Sequence, residues 1–206
     1  NRVLSNGQVM TDVQVDLEIR DGIASFHHIL GVLHEGELQA KAKINMRHPA
    51  VMMEIFGGIQ GVNLGPLFAS LGTAEVASGR ADISWDLMTA GVTYNALTAS
   101  LEGSFGIKAE KVVFNAVSLQ GLICSALAVI NKIPPEQGSP EHAPSTDLDI
   151  LIDFNSGKGR LEKFQLESPG VALTGAGNIL LNTLDFRHIH ILHGIVSTSR
   201  YVELTF

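Results

Sequence analysis

Apolar and polar residues alternate along much of this chain with a period of two, the period of a strand that buries one of its faces. In "DVQVDLEIR" the residues Val13, Val15, Leu17 and Ile19 share one side. In "GELQAKAKINMRH" it is Leu38, Ala40, Ala42, Ile44 and Met46, with lysines opposite. "GRADISWDLMTAG" sets Ile83, Trp85 and Leu87 against Asp82, Ser84 and Asp86. "DLDILIDF" sets Leu148, Ile150, Ile152 and Phe154 against Asp147, Asp149, Leu151 and Asp153. "VALTGAGNILLNTLDFRHIHILHGIV", residues 171 to 196, alternates for most of its length. Glycine with Asp or Asn punctuates the runs: "RDGIA" suits a hairpin turn and "NSGKG" a somewhat longer one.

Three shorter apolar stretches have helical spacing, each closed or followed by Gly or Pro. They are "VNLGPLFASLG" around Leu64 to Leu71, "TYNALTASLEG" around Tyr94 to Leu101, and "SLQGLICSALAVINK" from Ser118 to Lys132. The third is apolar almost all round, which predicts a buried helix. Residues 132–146, "KIPPEQGSPEHAPST", hold four of the seven prolines and read as a loop. The pattern predicts a mainly β fold: a twisted, curved antiparallel sheet in one domain over residues 1–206, with short helices around Leu64, Tyr94 and Leu122 capping an end or edge. Its oily face would carry Leu38, Ile44, Ile83, Trp85, Leu87, Leu148, Ile150, Ile152, Leu173 and Ile179, because the opposite face of the same strands carries Asp, Lys, Ser or Asn. One-sided strands suit a filled core under helices as well as an open trough, and the residues alone leave both readings standing.

Composition narrows the function classes. A chain of 206 residues that is 45% hydrophobic can bury a substantial core. With 14 Lys plus Arg against 21 Asp plus Glu, a formal charge of -7, no basic stripe gathers to neutralise phosphates, so nucleic acid is not an expected partner. The single cysteine, Cys124, permits no internal disulfide. It sits in the most apolar helical stretch and reads as a small buried hydrophobe rather than a nucleophile. No apolar run reaches the roughly 18 to 20 residues that span a bilayer. The chain opens at Asn1, with neither a methionine nor a signal peptide, and stops at the strand-like "YVELTF". A fragment is expected, with any membrane anchor upstream.

Candidate chemistry is sparse. "FRHIHILH" places His188 and His190 on one strand face, a zinc-like spacing that lacks a third ligand. His27 and His28 of "FHHIL" point opposite ways. "GAGN" and "FNSGKGR" lack the full spacing of a phosphate loop. The aspartates of "TDLDILIDF" read as a solvated strand face rather than a hydrolytic pair, and no Ser-His-Asp or metal motif is present. The expectation is a protein that is not an enzyme, with no cofactor and no bound metal.

The order of elements carries a resemblance. "LGPLFASL" followed by "ASGRADISWDLMTAG", then "LTASLEGSFGIKAEKVVFNAVSLQGLI", then "STDLDILIDFNSGKGRLEKFQLESPG" and "VALTGAGNILLNTLDF" is similar to the C-terminal region of the AsmA family, over about residues 60 to 195. The resemblance implies a periplasmic domain of the Gram-negative envelope, held at the inner membrane through an N-terminal anchor missing from this chain. It also implies that the curved sheet is apolar on its concave face, a non-enzymatic groove for phospholipid acyl chains serving lipid transport and outer-membrane assembly, lined by the ten positions named above. The alternative is a structural domain that docks β-rich outer-membrane assembly proteins by strand addition.

Overall fold

The computed structural model describes residues 2–5, 8–70, 77–114, 145–168, 171–180, 189–196 and 200–205, with side chains described in 10–70, 77–114, 145–168 and 172–178. Among the described residues twelve strands form one antiparallel sheet in which every strand pairs with its chain neighbours, β1 to β12 in sequence order. They are β1 Arg2–Ser5, β2 Gln8–Arg20, β3 Ile23–Leu33, β4 Gly36–Asn45, β5 Val51–Asn63, β6 Ala77–Gly91, β7 Glu102–Phe114, β8 Thr146–Asn155, β9 Lys158–Ser168, β10 Val171–Leu180, β11 Ile189–Val196 and β12 Arg200–Thr205. The helices α1 Leu64–Ser70 and α2 Tyr94–Ala99 follow β5 and β6. The mainly β, antiparallel fold predicted from the alternation is therefore the observed one, with its two described helices where the leucine spacing put them.

Chain reversals follow turn chemistry. Asp21 and Gly22 (φ 48° and 73°) and Ser156 and Gly157 (φ 51° and 72°) have positive φ at both central positions, the type I′ signature whose twist matches paired strands. "NSGKG" is thus a two-residue turn, shorter than its glycines suggest, because Gly157 takes the second left-handed position. His34 and Glu35 make the same turn without glycine (φ 48° and 67°). Glu35 is held there by Arg80 at 2.7 Å, and the His34 carbonyl accepts the Asn63 N–H at 2.9 Å. Strand β4 ends at Asn45, so Met46 lies beyond the face on which alternation placed it, its N–H donating to the Gly22 carbonyl at 2.8 Å.

Bulges gather at the α1 end of the strands, where extra residues bend the backbone and raise its twist. Register shifts between Ile59 and Val62, between Ser78 and Arg80, and between Ala109 and Val112 contain Gly61, Gly79 and Lys111 at φ 65°, 132° and 54°. Two of these bulges are capped from the next strand: the Gly61 N–H donates to Asp82 Oδ1 at 2.7 Å, and the Lys111 N–H to Asp147 Oδ1 at 2.9 Å. Between these bulges and α1 lies the core, with Leu33, Ile59, Val62, Leu64, Ala77, Ala81, Ala109 and Val112 buried together.

Candidate functional site: an apolar sheet face between two helices

In an antiparallel sheet, residues directly opposite one another project to the same face, so the register alone sorts the side chains. One row runs Leu38, Ile59, Ile83, Ile107, Ile150, Phe164 across β4 to β9. A second runs Ile29, Ala40, Gly57, Trp85, Phe105, Ile152, Leu161, and a third Phe26, Ala42, Ile55, Leu87, Gly103, Phe154, Gly159, Ile179. Ile44 lies opposite Met53, and Leu148 opposite Leu166, which in turn opposes Leu173. All ten positions expected on the oily face are on one face. Leu173 is buried; Leu38, Ile44, Ile83, Trp85, Leu87, Leu148, Ile150 and Ile152 are half-buried; the side chain of Ile179 lies outside the described residues.

Two helices bracket this face at opposite ends of β6. Helix α1 presents Leu64 to the core, and Leu67 and Phe68 pack against it. Helix α2 sits over Thr89 and Gly91, two further positions of the apolar face: the Thr89 hydroxyl donates to the Leu97 carbonyl at 2.5 Å, and Ser100 Oγ accepts the Ala90 N–H at 2.9 Å and donates to the Ala90 carbonyl at 2.7 Å. A Cβ on Gly91 would stand 2.7 Å from that of Ala96, so the helix lies directly on the strand. The Thr93 side chain caps α2 by accepting the Ala96 N–H. Between the helices Ile83, Trp85 and Leu87 remain half-buried, and exposure grows toward β2, where Val15, Leu17 and Ile19 of the same face are exposed.

The floor is uneven. Gly57 lies beside Trp85, and a Cβ there would stand 2.5 Å from the Gln39 carbonyl oxygen and 2.7 Å from the Ala40 Cα. Gly103 lies between Leu87 and Phe154, and Gly159 lies under the Phe154 ring. At these three positions neighbouring backbone or the Phe154 ring fills the space a side chain would need.

The opposite face holds the charges, paired both across strands and along a single strand. Lys163 reaches Asp149 at 2.6 Å, and Arg160 reaches Glu162 at 2.5 Å, holding the Glu162 carboxyl below its ordinary range chiefly through that hydrogen bond. Asp147, capping a bulge, and Asp149, paired with Lys163, are structural groups of a solvated face on which Asp153 is exposed. Phe56, Met52, Met88 and Leu151 are exposed on this face as well. Among the described residues no group of three or more His, Cys, Asp or Glu has the arrangement of a metal site. His34 Nε2 is buried without a hydrogen-bond partner. His27 and His28, expected to point opposite ways, straddle a bulge between Phe26 and Ile29 and are both exposed. His190 lies opposite Ala176 in β11. His188, Cys124, the helix expected from Ser118 to Lys132 and nearly all of the proline-rich loop lie outside the described residues.

Sequence reasoning left Ile55, Phe105, Ile107 and the exposed trio of β2 out of the ten positions named for this face. The β2 trio shows plain alternation. Ile55 and its neighbours are hidden because "VMMEIFGGIQGVN" puts Met52 and Phe56 on the polar face and breaks the period with a glycine pair.

No curated protein and no solved structure matches this chain. A family model does match, over residues 1–163, reaching further toward the start of the chain than the motifs beginning near residue 60 and stopping within β9. With that match over most of its length, the chain belongs to the AsmA family.

Proposed function

We propose that the apolar sheet face is an open groove that receives phospholipid acyl chains, and that this chain is a non-enzymatic lipid-carrying module of the Gram-negative envelope. In this reading it works in the periplasm, tethered to the inner membrane by the full-length protein, and supports phospholipid movement toward the outer membrane. Family membership is consistent with an envelope role. The observation that carries the finer reading is the run of half-buried apolar side chains from β4 to β9, joined by the exposed Val15, Leu17 and Ile19 of β2.

Physical scale supports it. The eight inter-strand steps of about 4.8 Å from β2 to β10 make a path of about 38 Å along this face. The hydrocarbon core of a whole bilayer is about 30 Å thick, so the path accommodates the length of an acyl chain from one leaflet. Each methylene moved from water onto such a surface contributes about 0.8 kcal/mol. Binding of this kind needs length and apolarity, which the face has, and no reacting group. Extraction of the purified protein with organic solvent, followed by mass spectrometry, tests the reading. Stoichiometric phospholipid is expected; protein that carries none, even after incubation with phospholipid, contradicts it.

A further inference from the structure

The exposed apolar side chains on the α2 rim call for an explanation that the groove does not supply. This rim is the line of turns joining β2 to β3, β4 to β5, and β6 to α2. Ile19 is 68% exposed, Val92 70% and Tyr94 72%, and Met46 and Met52 are exposed as well. They occupy both faces and the crest: Ile19 is on the apolar face, Met52 on the polar face, Met46 and Val92 are in the connections, and Tyr94 opens α2. A groove would use Ile19 alone, and a partner on the polar face would use Met52 alone. Exposed apolar groups wrapped around an edge suit insertion of that edge into a medium that surrounds it.

Among the described residues charge divides the two rims the same way. The α2 rim carries Arg20, Arg47, His48 and Lys158 against Asp21 and Glu102, and Asp21 is shared by both arginines, at 3.7 Å and 4.0 Å. The α1 rim carries Asp12, Glu35, Glu37, Glu110, Asp147 and Glu167 against Arg80 and Lys111. The crest is also held in place: Arg47 Nε donates to the Asp21 carbonyl at 2.6 Å and the Met46 N–H to the Gly22 carbonyl at 2.8 Å, tying two adjacent turns. Tyrosine and basic side chains beside exposed aliphatic ones match the chemistry of the headgroup layer.

We propose that the α2 rim from β2 to α2 is a membrane-contact edge that inserts into the interfacial layer of a bilayer containing anionic phospholipid, with the acidic α1 rim directed away. Such a contact stands whether or not the groove carries lipid.

Co-sedimentation with vesicles tests it, using phosphatidylcholine alone and phosphatidylcholine mixed with phosphatidylglycerol. The parent protein is expected to sediment with the mixed vesicles, more weakly with the neutral ones, and less at high salt. Val92→Asp combined with Tyr94→Asp, both at exposed positions, should lower partitioning at least about tenfold by removing the inserted apolar surface and adding repelled charge. Circular dichroism should show the fold retained. Gln60→Glu on the α1 rim should leave partitioning unchanged. The proposal is overturned if the parent ignores mixed vesicles, which would assign the rim to a protein partner, or if it binds both vesicle types equally. It is also overturned if Leu87→Asp abolishes partitioning while the rim variant keeps it, which would make the groove the point of contact. Loss of co-purified lipid in Leu87→Asp with vesicle binding intact separates this edge from the groove.

Discussion

Two aspartate substitutions on one face of the sheet distinguish an open groove from a closed core. Val62 is 0% exposed, enclosed by the cluster beneath α1. Leu87 shares its face but lies past Trp85, toward α2, and is half-buried. In Val62→Asp the carboxylate has neither water nor a cation, and an unpaired buried charge costs several kcal/mol. Against a net stability of about 5–15 kcal/mol for a domain, that is a large share. An open face would let water reach the carboxylate in Leu87→Asp, so the loss would be about half of what full burial of a leucine contributes, about 1 kcal/mol. At about 2–4 °C per kcal/mol for a chain of this size, Leu87→Asp should lower Tm by a few degrees and Val62→Asp by more than about 10 °C, if it folds at all. Thermal unfolding followed by circular dichroism at pH 7 reads both. Equal collapse of the two variants would refute the reasoning, since it would make the middle of the face as closed as its α1 end. Ile83 is the weaker probe because it packs against the same core cluster.

Two further substitutions test how the sheet is shaped. Asp82→Ala removes the acceptor of the Gly61 N–H and should cost about 1 kcal/mol in urea unfolding, with the change in exchange protection centred on the β5 bulge. Gly57→Ala forces a Cβ to within 2.5 Å of the Gln39 carbonyl oxygen, and should destabilise the sheet by about 1–3 kcal/mol while raising hydrogen exchange along β4 and β5.

The elements legible in the sequence are those whose strands keep a strict period. Strands β2, β4, β6 and β8 alternate cleanly, and α1 and α2 are marked by leucine spacing and their breakers. The ten positions of the apolar face follow from that alternation because register carries one face intact across neighbouring strands. What stayed hidden follows from bulges and from apolar residues on the polar face. Strand β3 changes phase at the bulge between Phe26 and Ile29, so two histidines separate residues that project the same way. Strand β5 carries Met52 and Phe56 on its charged side. The roles of Asp82 and Asp147 were equally invisible, since a bulge in one strand and its cap in the next are linked only by pairing. The His34–Glu35 turn lacks the glycine that announces its type, and the Arg80 side chain that holds it lies 45 residues away from Glu35.

The central claim is that one face of the sheet touches acyl chains and the other does not, and neighbouring residues on one strand test it with a period of two. A photo-reactive amino acid placed at Leu87 or Ile152, on the apolar face, and at Asp86 or Asp153, on the opposite face, can be irradiated in the presence of phospholipid and the adducts weighed by mass spectrometry. Lipid adducts at 87 and 152, with none at 86 and 153, are the predicted result. Adducts at all four positions, or at none, would contradict the groove.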